Sequence, residues 1–162
     1  MRYMKILIVL TLFITFTGCQ SESFELPDIN IPTNTILYTT SDHRAIELGD
    51  KKNVFNVSIV SNSYDRLNNF GTITFSGTLT SIGDNAFRDC QTLRSVVIPK
   101  SVTSIGSYAF YIDYLNITCE AVKPPILGSN VFDNIDLYIP KGSYNAYKAS
   151  DWGEYDRYIG GY

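Results

Sequence analysis

The chain has 162 residues, enough for one domain with a real core, and its 44% hydrophobic and 18% charged residues exclude a disordered or collagen-like chain. The net charge of −3 becomes −5 if Arg2 and Lys5 leave with the N-terminal segment, so no basic patch remains to neutralise phosphates and nucleic acid is not an expected partner. Twelve tyrosines and nine phenylalanines bring the aromatic content to 14%, a level that suits pleated, half-buried sheet surfaces.

Met1 to Lys5 is short and basic, and Ile6 to Phe16 follows as an uncharged run of eleven residues. That run is too short to span a bilayer as a helix and reads as the apolar part of a signal peptide over residues 1–18. Phe16, Thr17 and Gly18 lead into Cys19, a segment that resembles the acylation site of bacterial lipoproteins. The resemblance implies cleavage before Cys19 and lipidation of its thiol. The alternative is an ordinary secretory peptide with an incidental cysteine. An N-acyl chain with two further acyl chains exceeds the two signals that stable anchoring requires. Residues 19–34 are then a tether, and Gln20, Ser21, Glu22 and Ser23 resemble surface-export signals of Bacteroidetes lipoproteins. That resemblance implies an outer-membrane lipoprotein of a diderm bacterium, displayed at the cell surface.

Residues 35–69 carry strand-like runs at Ile36–Thr39, Ala45–Leu48 and Val57–Val60, with turn chemistry at Asp42, Gly49–Asp50 and Asn68–Asn69. From residue 70 the chain repeats itself. Thr80-Ser-Ile-Gly83-Asp-Asn-Ala-Phe87 recurs 23 residues later as Thr103-Ser-Ile-Gly106-Ser-Tyr-Ala-Phe110, and a degraded copy runs from Ile126 to Phe132. In phase with it runs an L-x-x-L-x-L pattern: Phe70/Ile73/Phe75, Leu93/Val96/Ile98, Tyr114/Ile117/Cys119 and Asn134/Leu137/Ile139. Alternation turns the last two members of each set inward from a short strand. One such rung cannot bury its apolar face, so the rungs are expected to stack. Gly83, Gly106 and Gly128 are expected to permit a tight turn, and Phe87 and Phe110 to fill the core opposite the strands. Pro99 and Pro140 end the strands they follow.

The run from Leu79 to Gly106 resembles the BspA-type leucine-rich repeat, a family abundant in surface proteins of Bacteroidetes. The tail from Leu137 to Trp152 resembles the segment that closes such arrays, and Ile36 to Asp42 resembles the strand-rich lead-in before them. The resemblance implies a leucine-rich-repeat solenoid of the α/β horseshoe class, β-rich with short parallel strands. Residues 35–162 then form a single domain: a β-rich N-terminal cap over 35–69, repeats over 70–140, and a short helical and aromatic C-terminal cap over 141–162. Ser143 is placed to cap a helix carrying Tyr144 and Tyr147. Trp152, Tyr155, Tyr158 and Tyr162 are expected to seal the last rung, the alternative being a sugar-binding row.

No catalytic constellation is visible, and the chain is read as no enzyme. His43 is the only histidine, and Ser41 and Asp42 directly before it cannot turn toward it as a relay; it reads as a turn residue. Metal-ligand spacing and phosphate-loop context are absent, so neither metal nor cofactor is expected. Cys90 and Cys119 read as separate buried thiols. The reading is a surface binding or adhesion module for host or microbial proteins, the alternative a glycan-binding accessory lipoprotein; the oligomeric state is left open. The expected ligand face is the outward row of the strands: Thr72, Thr74, Ser95, Val97, Asn116, Thr118, Asp136 and Tyr138.

Overall fold

The computed structural model describes residues 31–48, 54–155 and 158–161. The expected signal peptide over 1–18, the expected lipidation site Cys19, the expected tether up to residue 30 and the expected Gly49–Asp50 turn lie outside the described residues, as do the side chains of Tyr158 and Tyr162.

Three turns of chain stack on one another. Each contributes a two-residue strand to a small sheet and a longer strand to a large one. The first turn supplies β4 (Ser81–Ile82) and β5 (Leu93–Ile98), the second β6 (Ser104–Ile105) and β7 (Leu115–Cys119), the third β8 (Ile126–Leu127) and β9 (Ile135–Ile139). Within both sheets the stacked strands are parallel, with Val96 beside Ile117 beside Leu137 and Ile82 beside Ile105. The chain is thus strand-rich, with mostly parallel pairing in its repeats and little helix, as expected of a leucine-rich-repeat fold.

The inward alternation is as expected. Ile73 and Phe75, Val96 and Ile98, Ile117 and Cys119, and Leu137 and Ile139 all belong to one buried core. In the second and third turns, however, the first member of the L-x-x-L-x-L pattern is displaced. Leu115 and Ile135, not Tyr114 and Asn134, take the buried place that Leu93 holds in the first turn. From the short strand to the end of the long one, the second and third turns are shorter by two and four residues, and their long strands alternate strictly. The longer first turn absorbs its extra residue in an irregularity opposite Thr39 and Thr40. Tyr114 is left 71% exposed.

The largest departure concerns the expected first rung. β1 (Thr35–Thr40), β2 (Ile59–Asp65) and β3 (Phe70–Phe75) join the large sheet, whose order is β10-β9-β7-β5-β1-β3-β2, with β10 spanning Tyr158–Gly161. β3 is antiparallel to β1 and is not bonded to β5; β1 lies between them, antiparallel to both. Phe70 to Phe75 carries a repeat strand's apolar period without being one. The repeats begin at Leu79. Ala45–Leu48 forms no strand: Ile46 and Leu48 are buried, and the Ile46 carbonyl accepts from Asn62 Nδ2 at 2.7 Å. The strand expected at Val57–Val60 starts at Ile59 and runs on to Asp65. Asp65 Oδ1 accepts from the amides of Leu67 and Asn68 and closes the β2–β3 turn. Residues 31–34, assigned to the tether, are bonded into the fold: the Leu79 amide donates to the Thr33 carbonyl, and Asn34 Nδ2 to that of Phe75.

The repeat glycines do a different task from the one expected. Gly142 is the one described glycine with a positive φ; Gly83, Gly106 and Gly128 mark where successive turns approach most closely. A Cβ on Gly106 would lie 2.5 Å from the Asp84 nitrogen, and one on Gly128 2.5 Å from that of Ser107. The left-handed residue that redirects the chain stands two places further on, at Asn85, Tyr108 and Asn130, with φ of 57°, 56° and 50°.

Aromatic rings run the length of the core. Phe87 and Phe110 stack at 4.8 Å between centroids and 9° between planes; Phe55 lies beyond Phe87, and Phe132 and Trp152 beyond Phe110. Trp152 and Tyr147 are fully buried against the last turn, where the indole N–H donates to the Pro125 carbonyl at 2.8 Å and the Tyr147 hydroxyl to that of Ala121 at 2.7 Å. Tyr147 belongs to α1 (Tyr144–Lys148). Ser143 occupies the position before α1 but does not cap it with its side chain. Its backbone is helical (φ −87°, ψ −6°), which directs the hydroxyl to the Pro140 carbonyl instead, at 2.6 Å.

Cys90 and Cys119 are separate buried thiols with no disulfide between them, as expected. Cys119 lies beside Ile98 in register. Burial pushes its thiol from 9.0 up to about 11, and burial likewise pushes the Tyr38 hydroxyl from 10.0 to about 12. In both cases the folded chain holds its proton more tightly than the unfolded one. Their contribution to stability is therefore complete below pH 9 and declines as the pH rises through 9 to 12. The urea midpoint is expected to stay level to pH 9 and then fall, with the fall beginning later in Cys119→Val. A midpoint level to pH 11 in the wild-type chain would contradict both assignments.

Candidate functional site

On the face of the large sheet away from the core, strand register places the expected residues in rows. Ser95, Asn116 and Asp136 lie side by side on β5, β7 and β9, as do Val97, Thr118 and Tyr138. Both rows continue onto β1, where Thr39 stands beside Ser95, with their hydroxyl oxygens 2.6 Å apart, and Leu37 beside Val97. Thr72 reaches the second row only across Leu37, and Thr74 stands beside Thr35, away from the parallel strands. The face therefore unites six of the expected residues directly and two at one remove.

It is also less open than alternation alone implies. Ser95 and Thr118 are 6% exposed and Val97 5%, whereas Thr72, Thr74, Asn116, Asp136 and Tyr138 are half-buried. Val97 belongs to a second apolar cluster on this face with Ile31, Leu37 and Phe70. Leu37 and Ile31 come from the segment that was read as lead-in and tether. A hint was present in the sequence: Leu37 holds the outward place on a strand whose other outward residues are threonines. Burial, and then the charge of Asp136, raise the Tyr138 hydroxyl above its ordinary value. The open part of the face is thus the Asn116, Asp136 and Tyr138 corner, polar and without a nucleophile.

Elsewhere, His43 sits in a turn at φ 54°, exposed, its Nδ1 bonded to the Asn69 carboxamide oxygen. Among the described residues no three His, Cys, Asp or Glu side chains gather into one cluster, and no helix is long and apolar enough to cross a membrane. The alternative reading of the tail, a solvent-facing aromatic row, is not what the described residues form. Trp152 and Tyr147 are interior, and Tyr155 packs edge-on against Phe132.

Repeated turns of 22 to 23 residues, in-register parallel pairing of the repeat strands in both sheets and a phenylalanine column together define a leucine-rich-repeat protein. A family model for the BspA-type leucine-rich-repeat region, with six copies, matches residues 14–116 and 57–139. The chain belongs to the BspA-type leucine-rich-repeat family. No curated protein and no solved structure matches it. Its repeats suggest a protein-interaction or adhesion module, and the family is typically a non-enzymatic scaffold.

Proposed function

We propose that the protein is a binding module held at the surface of a diderm bacterium of the Bacteroidetes, anchored in the outer membrane through a lipidated Cys19. Its partner is a host or microbial protein, met on the outer face of the parallel strands. The three turns serve as a short solenoid, closed at one end by β1 to β3 and at the other by Tyr147 and Trp152. The observation that carries this reading is the in-register pair of outward rows, which sets Asn116 beside Asp136 and Thr118 beside Tyr138. Such rows suit a polar protein surface. Three turns are small beside a standard interface of about 800 Å² per partner, so one copy binds weakly and display of many copies supplies the avidity.

Two measurements test this. Wild-type protein is expected to incorporate palmitate and to be shaved from intact cells by protease, while Cys19→Ala enters the soluble secreted fraction. A Cys19→Ala chain that stays in the membrane would end the anchor proposal. Arginines at the half-buried Asn116 and Asp136 leave the core intact, whereas Ser95 and Thr118 are too enclosed for such a substitution. The folded Asn116→Arg, Asp136→Arg variant is expected to lose the partner retained by wild type; equal binding would remove this face.

A further inference from the structure

The left-handed turn position is asparagine in the first and third turns, Asn85 and Asn130, and tyrosine in the second, Tyr108. Asparagine tolerates a positive φ because its short side chain bonds locally; tyrosine gains nothing comparable and is strained there. A strained residue persists where its side chain has a task that the relaxed choice cannot perform. Here the Tyr108 ring is fixed from several directions. Asn130 Nδ2 donates to its hydroxyl oxygen at 3.0 Å, the Arg88 guanidinium lies 5.1 Å from its centroid, and Tyr111 meets it at 5.6 Å and 74°. Arg88 is itself oriented by donating from Nη1 to Asn85 Oδ1 at 3.2 Å. Tyr111 is 41% exposed.

The geometry points to a saccharide site at this turn edge, for a glycan bearing a carboxylate, such as a uronic or sialic acid. The two tyrosines form an angled corner with one ring open to solvent, which fits the apolar C–H face of a pyranose. The other N–H groups of Arg88 present a planar fork to a carboxylate. This site lies apart from the outer face of the strands, so its failure would leave the protein-binding proposal untouched.

The test uses saturation-transfer NMR with tetragalacturonic acid, sialyllactose and neutral lactose, on wild-type chain and on Tyr108→Asn. Asparagine is the residue the neighbouring turns already use, so this variant is expected to keep or raise the urea midpoint while weakening the acidic sugars about tenfold. Stability and binding then move in opposite or independent directions, which a purely structural role for Tyr108 would not produce. Arg88→Ala is expected to abolish the preference for acidic over neutral sugars. If Tyr108→Asn does not fold, Tyr111→Ser, a change at an exposed ring, carries the same expectation. No saccharide binding by wild type, unchanged binding by the folded variants, or loss in those variants of a protein partner alone would each overturn the assignment.

Discussion

Phe110→Ala is expected to destabilise the fold by about 3–5 kcal/mol, the range for truncating a buried phenylalanine. Phe110 is fully buried and has a ring on each side, Phe87 stacked at 4.8 Å and Phe132 at 6.0 Å. Its backbone is fixed by the bond from its amide to the Val131 carbonyl at 2.9 Å, so the turn cannot readily collapse into the space. Against a typical total stability of about 5–15 kcal/mol, the loss brings the chain near to unfolding. Urea denaturation of Phe110→Ala and Phe110→Leu gives the check. Leucine retains much of the volume and should recover a large part of the deficit. A change below about 1 kcal/mol for alanine would mean that the aromatic column does not support the stack.

Gly106→Ala is the second substitution with a large expected effect, about 3 kcal/mol, at the upper end for inserting a methyl group into a close-packed site. The added Cβ would lie 2.5 Å from the Asp84 nitrogen and 2.6 Å from the Gly83 carbonyl carbon. Both are backbone atoms of the preceding turn, and backbone cannot swing aside as a side chain can. The same neighbourhood holds the two turns together: the Gly106 amide donates to the Ile82 carbonyl at 2.7 Å, and the Ser107 amide to Asp84 Oδ1 at 2.7 Å. Gly142→Ala is the natural control. Its φ is 84° with nothing near the position of a Cβ, so its cost is conformational alone, about 1 kcal/mol. Thermal melts that ranked Gly142→Ala as the more damaging of the two would show that turn conformation, not the spacing between turns, governs these glycines.

The contrast between those glycines shows how far sequence reasoning reached. Spacing located Gly83, Gly106 and Gly128 but could not distinguish a glycine needed for its φ from one needed for its missing Cβ, because both leave the same letter. Apolar alternation likewise identified two inward residues on each of β3, β5, β7 and β9. It says which face a side chain takes and nothing of strand direction or neighbour, so Phe70 to Phe75 passed as a repeat rung although β1 separates it from β5. Tyr114 entered the pattern as its first member by counting from Leu93, while the shorter second turn gives the buried place to Leu115. The outward rows followed from the same alternation. Their partial closure did not, since it depends on Leu37, Phe70 and Ile31 arriving on that face from outside the repeats.

The position of β1 has a mechanical consequence. A pull on the chain from its N-terminal side passes through residues 31–34 and arrives first at β1, which lies between β3 and β5 and is bonded to both. Tension at an edge strand opens one hydrogen bond after another, whereas extraction of a central strand must load two ladders together. Were the chain anchored through its N-terminal side as proposed, the load would fall on a strand paired on both sides and not on an edge.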